Sequence, residues 1–272
     1  MRPACLLTFI VLPILLFAQP IQTPPSTDSL AKYSYLLFTH GVDDSVLLNA
    51  TGFFVRIGKK LYLVTAFHVV SGCSMSPTNP GYRQFALKSL DITYDNAKGK
   101  RRWKTISLDQ YMKPPCYSFA DSPDIVMIDV SAEFSKIKIN TIDSILPSPM
   151  TRDSLITGTE IITYGYPKVE IEKLPENKRY KMKPVRFIRY VYDLPIDEEV
   201  KDHPRHTLIN FALCPSLPPG VSGAPLFTVT ENADRKPYVQ FAGVQSQSKN
   251  DPDISIAVRG SRLLNMMDQR KQ

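Results

Sequence analysis

Short runs of β-branched and aromatic residues, broken by turn residues, recur from Tyr33 to Ser246, and this punctuation leaves sheet as the main element. A first set covers Tyr33–Phe38, Ala50–Ile57, Leu61–Phe67, Gln84–Tyr94, Lys104–Leu108 and Ile125–Val130, with Gly58-Lys59-Lys60 joining two of them as a tight hairpin does. Residues Asn140 to Asp153, with Pro147 and Pro149, read as a connection. A second set follows at Glu160–Tyr164, Val185–Tyr192, Thr207–Leu213, Ala224–Thr230 and Tyr238–Ser246. Two successive β barrels are the natural arrangement of two such sets. Leu263, Leu264 and Met267 then share a helical face, with Ser261 placed to cap it, so a short terminal helix packed on the second barrel is expected.

A chain of 272 residues with 43% hydrophobic content can bury a large core, which excludes disorder throughout. The start of the chain has the layout of a secretory signal peptide: basic Arg2, an apolar run from Ala4 to Ala18, then a polar, proline-rich stretch to Asp28. That run is too short to span a bilayer comfortably, so cleavage rather than anchoring is expected, and either outcome places the remainder outside the cytoplasm. The expected organisation is residues 1–18 as signal, 19–31 as spacer, 32–147 and 148–258 as the two barrels, and 259–272 as the terminal helix. The product would be secreted or periplasmic, with no stable membrane insertion after cleavage. The sequence leaves the oligomeric state open.

Loss of Cys5 with the signal would leave Cys73, Cys116 and Cys214, an odd number. A Cys73–Cys116 bridge is compatible with an oxidising compartment, and spacing alone does not decide it. No Cys-x-x-Cys pair exists, and Pro204 breaks any helix that would present His203 and His206 to one ion, so neither metal nor cofactor is expected. The net charge of +7 gathers partly in Lys98–Lys104 and Lys178–Arg186. Such runs suit solvated hairpin faces better than nucleic-acid contacts, and no nucleic-acid partner is expected.

Three segments carry chemistry. In Pro219-Gly220-Val221-Ser222-Gly223-Ala224 a serine stands between glycines, the setting that projects a hydroxyl from a tight turn beside free backbone N–H groups; those of Gly220 and Ser222 would receive an oxyanion. A serine hydroxyl needs a neighbouring base, and of four histidines only His68, at the end of the apolar run Leu61–Phe67, has a suitable setting. The base in turn needs a carboxylate to fix its tautomer. Asp124 opens the apolar run Ile125–Val130, whereas Asp129, five positions on, points to the opposite face and would decorate the solvent side.

The order His68, Asp124, Ser222 resembles the chymotrypsin-like serine peptidases, most closely their bacterial trypsin-like branch, which includes the high-temperature-requirement proteases. Thr51-Gly52-Phe53-Phe54-Val55 is similar to the family strand leading to the histidine hairpin, Gly158–Pro167 to the opening strand of the second barrel, and Ala242-Gly243-Val244-Gln245-Ser246 to the strand lining the substrate cleft. Together these cover about residues 32 to 260. The resemblance implies an all-β fold of two packed six-stranded antiparallel barrels with the triad between them. It implies a serine endopeptidase acting on protein or peptide substrates, with Gly220 and Ser222 forming the oxyanion hole and Ser246 pairing with an extended substrate's main chain. Ser216 and Leu217, just before the nucleophile turn, would line the primary specificity pocket, and neither supplies the carboxylate a Lys or Arg preference requires.

Departures from the family pattern bear on activity. Val221 replaces the aspartate that pairs with a newly cut N-terminus in trypsin-type enzymes, so no such zymogen switch is expected. Phe67 is bulkier than the usual neighbour of the histidine and Ser248 replaces a cleft glycine, with narrowing of the pocket or weakened strand pairing as the expected effects, whereas Ala224 in place of a second glycine is a small change. The long, charged loop from Lys168 to Pro204 is free to cover the cleft or bind a partner. A trypsin-like binding module with little or no turnover is the alternative that Ser248, Phe67 and Pro218-Pro219 beside the oxyanion turn motivate. A lipase-type triad is disfavoured, because its histidine comes last and its serine sits within Gly-x-Ser-x-Gly.

Overall fold

The computed structural model describes residues 27–73, 83–112, 123–143, 145, 155–192, 210–231, 237–249 and 253–271. Six strands form the first sheet: β1 (Tyr35–Gly41), β2 (Val46–Ile57), β3 (Lys60–Thr65), β4 (Leu87–Asp95), β5 (Arg101–Ser107) and β6 (Val126–Asp129). Six more form the second: β7 (Glu160–Gly165), β8 (Val185–Tyr192), β9 (Asn210–Cys214), β10 (Pro225–Glu231), β11 (Pro237–Lys249) and β12 (Ile254–Arg259). All pairings within both sheets are antiparallel.

The two six-stranded units differ in closure. The second runs β10-β11-β12-β9-β8-β7 and closes where Leu226 and Phe227 of β10 meet Thr163 and Ile162 of β7. The first runs β5-β4-β1-β2-β3-β6 and stays open between its two edge strands. The β2–β3 connection is the two-residue hairpin expected at Gly58-Lys59, with Gly58 in the left-handed region at φ 58°.

Much of β2, β3 and β6 is buried on both faces because two cores meet across them. Phe54, Leu61, Leu63, Val126 and Ile128 point into the first unit's own core. Their alternating neighbours Phe53, Val55, Tyr62, Val64 and Met127 point the other way, into a shared core with Ile162, Tyr164, Phe227, Phe241, Val244 and Val258 of the second unit. This two-sided burial fixes how the units face each other, and hence where their loops converge.

Three details differ from the sequence reading. The run expected to continue through Phe67 ends at Thr65, and Phe67–Ser71 forms a short helix that carries His68. Strand β12 was not among the expected runs: all six of its residues are buried, so it carries no polar/apolar alternation. The terminal helix begins at Gly260 with Arg259 as its N-cap rather than Ser261, and no side chain caps it. Its Leu263 and Met267 join the shared core, with Leu264 partly buried beside them. His203 and His206 lie outside the described residues.

Candidate active site

The β3–β6 pairing sets the first two site residues side by side. Thr65 of β3 opposes Val126 of β6, so the helix that follows β3 and the turn that precedes β6 leave the sheet at the same end. There the backbone N–H of His68 donates to Asp124 Oδ1 at 2.9 Å, and His68 Nδ1 lies 2.7 Å from Asp124 Oδ2. An ionised carboxylate only accepts, so Nδ1 carries the proton and Nε2 is left with its lone pair, the tautomer a general base needs. Asp129, the rival acid, is turned outward, bonded to Ser131 and paired with Lys60 at 3.3 Å.

A third donor comes from the second unit. Ser246 Oγ, fully buried on β11, donates to Asp124 Oδ2 at 2.7 Å. The sequence reading assigns Ser246 a main-chain role only, and nothing local distinguishes its hydroxyl from the polar Gln240 and Gln245 of the same run. Burial works against charge on both His68 and Asp124, and their mutual attraction outweighs it. The imidazole is thereby held above its ordinary pKa by the charge and hydrogen bond of Asp124. The carboxyl is held below its ordinary value by His68, with Ser246 adding to the effect.

The Ser222 turn is clasped to the first sheet by Thr51, a residue that sequence reasoning placed in a family strand but gave no function. Thr51 N–H donates to Ser222 O at 2.9 Å, Thr51 Oγ1 donates to Gly220 O at 3.0 Å and accepts from Tyr166 N–H at 3.1 Å, and Thr51 O accepts from Thr65 Oγ1 at 2.8 Å. Both glycines of the turn are required by geometry. Gly220 has φ 92° and Gly223 φ 85°. A Cβ on Gly223 would overlap Thr51 O and Thr65 Oγ1 and come within 3.0 Å of Ala66 N. The Ser222-Gly223 backbone therefore lies against the residues that lead directly into His68.

Within the turn, Val221 N donates to Pro218 O, Gly223 N to Gln245 O and Ala224 N to Val221 O. Among the described residues the N–H groups of Gly220 and Ser222, the two expected to receive an oxyanion, have no acceptor. Ser222 is half-buried, and no hydrogen bond joins its Oγ to His68 Nε2 among the described residues. Before substrate binds, such catalytic contacts are commonly long or misaligned.

The remaining site residues lie on the two segments flanking the turn. Ser216 is held at both backbone groups, its O by Arg189 Nε and Nη2 at 3.1 and 3.0 Å and its N–H by Asp253 Oδ1 at 3.1 Å. Leu217 is buried, and Ser248 Oγ donates to its carbonyl at 2.6 Å. Ser248 keeps its place in the β11–β12 ladder opposite Ser255, so its side chain does not weaken pairing there. Ser246 is the extra residue of a bulge between Gln245 and Gln247, and β10 leaves β11 at Val244. Bulges of this kind re-aim a side chain and free a backbone segment next to active sites.

Among the described residues no cluster of ligating side chains suits a metal ion. Cys73 is disulfide-bonded and Cys214 is free. Cys5 and Cys116 lie outside the described residues, and the Cys73–Cys116 bridge that the sequence leaves open falls there. His40, passed over as a base, pairs instead with buried Asp91 at 3.0 Å. A cavity of about 680 Å³ lined by Trp103 of β5 and Tyr180, whose rings stack at 4.9 Å, holds none of the site residues. The first part of the charged loop packs on β1, where Ile171, Tyr180 and Met182 meet Leu36 and Phe38.

The fold is that of the chymotrypsin-like serine peptidases. The structure aligns with that titled Deg5 at a TM-score of 0.51 and 16% identity over 88% of each chain. It aligns with the serine endoprotease from Yersinia pestis at a TM-score of 0.50 and 12% identity, over 92% of this chain and 68% of that one. No family model matches the sequence, and no curated protein matches it.

Proposed function

We propose that the chain is a serine endopeptidase. Ser222 Oγ attacks the peptide carbonyl as His68 Nε2 takes its proton, and the N–H groups of Gly220 and Ser222 receive the oxyanion. His68 then protonates the leaving amine, and water, activated by the same imidazole, releases the acyl group from Ser222. Asp124 stays ionised throughout and steadies the imidazolium. The observation that carries this reading is the ordered His68–Asp124–Ser246 contact beside a nucleophile turn whose two outward N–H groups are unspent.

We also propose that residues 1–18 direct export and are removed. The disulfide at Cys73 supports an oxidising destination, periplasmic or extracellular. A second reading, a peptide-binding module without turnover, is favoured by one observation, the missing hydrogen bond between Ser222 and His68.

Digestion of a peptide library with mass-spectrometric readout separates the two. The peptidase reading expects internal cleavages that vanish in Ser222→Ala. An intact library with the parent protein, or the same cleavages with both proteins, would overturn it.

A further inference from the structure

The first sheet is open, and one of its edges carries both the backbone groups and the side chains that a further strand needs. Strand β5 pairs with β4 on one side only. Leu108 N–H donates to Lys88 O and Asn96 N–H to Lys100 O, which puts the even-numbered residues of β5 in the hydrogen-bonded pairs of that ladder. The N–H and C=O groups of Arg101, Trp103 and Thr105 therefore point away from β4, and among the described residues no backbone bond engages them. Beyond Thr105 the edge nears β6, where Ile106 and Ser107 share a small cavity with Ile128 and Asp129, so the free stretch is Arg101 to Thr105.

The two faces of this stretch differ in chemistry. Arg102 and Lys104 are exposed and lie on the side where Ile106 enters the first unit's core. On the other side the half-exposed ring of Trp103 stacks on Tyr180, which packs on Phe38 and donates its hydroxyl to buried Asp91 at 3.2 Å. The cavity these two rings line adds the cations Arg101 and Lys181 and one carboxylate, Glu176. Arg101 is paired with Asp95 at 2.9 Å, whereas no salt bridge engages Arg102, Lys104 or Lys181 among the described residues. Cations at an edge repel a basic strand, and a second copy of the chain would bring the same cations face to face; an acidic strand is the complement. The indole lies against Tyr180 and lines a hollow rather than projecting, a shape suited to a peptide side chain and not to a lipid surface.

We propose that β5 docks an extended acidic segment of a protein partner as a seventh strand, with acidic residues against Arg102 and Lys104 and the alternate, apolar residues entering the Trp103–Tyr180 cavity. None of the proposed catalytic residues lines that cavity, so docking is independent of turnover. Trp103 is the only tryptophan of the chain, and its fluorescence reports the site directly. Ser222→Ala protein, chosen so that the probe is not consumed, is titrated with a short peptide alternating Glu and Val. A saturable change in emission is expected, weakening as salt screens the charges. A Lys/Val peptide of equal length is expected to bind at least about tenfold more weakly, because like charges would oppose each other across the new pair. N-methylation of alternate residues of the Glu/Val peptide is expected to abolish binding in one phase and spare it in the other, since one set of amides faces β5. The double change Arg102→Glu with Lys104→Glu, at exposed positions, is expected to invert the preference between the two peptides. An unchanged emission, equal binding of the Glu/Val and Lys/Val peptides, indifference to N-methylation in both phases, or a larger response to vesicles of anionic lipid than to the Glu/Val peptide would overturn the proposal.

Discussion

At the residue scale the proposed mechanism makes the His68–Asp124 pair set both rate and pH dependence. Catalysis needs neutral imidazole, and Asp124 holds the imidazole above its ordinary pKa. The acid limb of kcat/KM is therefore expected above the usual imidazole value, and Asp124→Asn should move it down while lowering kcat by roughly four orders of magnitude through loss of the correct tautomer. A profile measured from about pH 4 to about pH 9 checks both. Stability runs differently. The raised imidazole contributes fully below its ordinary pKa and loses that contribution as pH rises through the raised value, whereas the lowered Asp124 contributes above the ordinary carboxyl value and loses it as pH falls through its own. The pair thus stabilises most in mildly acidic solution, where the imidazole is already protonated, and thermal unfolding of parent against Asp124→Asn should show its largest difference there. A difference that grows steadily into alkaline pH would contradict the assignment. The His68–Asp124 contact was legible in the sequence because each residue is a polar group at one end of an apolar run. Thr51 was not legible, since a threonine in a strand has no local mark and its hydrogen-bond partners, Ser222, Gly220 and Tyr166, are more than a hundred residues away.

At the element scale, β2 works on three fronts: it fills the shared core with Phe53 and Val55, the first unit's core with Phe54, and holds the nucleophile turn with Thr51. Thr51→Val keeps the shape but strips Gly220 O of a donor and Tyr166 N–H of an acceptor in a buried site. It is expected to cost about 1–3 kcal/mol of stability and to reduce kcat more than it raises KM. Phe53→Ala removes a fully buried ring from the shared core and should cost about 3–5 kcal/mol in chemical denaturation while leaving the site's chemistry intact in the folded fraction. Strands with one polar face, or a tight glycine hairpin such as Gly58-Lys59, announced themselves by pattern. Strand β12 did not, because its place in the closed sheet buries every side chain and leaves no alternation to read. The end of β3 was misplaced for a related reason: Ala66-Phe67 continues the apolar run while the backbone has already turned into the helix bearing His68.

At the scale of the whole molecule, two units share a core, and the Ser222 turn of the second lies against Thr51 and Thr65 of the first. Val221 is fully buried in the second unit's apolar core and packs on Gly165, where a Cβ would meet it at 2.7 Å. No charge at this position waits for a new N-terminal ammonium. The chain from Gln19 onward is therefore expected to turn over substrate with its mass unchanged, and inactivity until a second cleavage would refute this. The most direct test of the central claim is covalent labelling by a fluorophosphonate, followed by intact mass. An activated Ser222 predicts one adduct per parent molecule and none on Ser222→Ala or His68→Ala; a parent that stays unlabelled, or three proteins labelled alike, would contradict it.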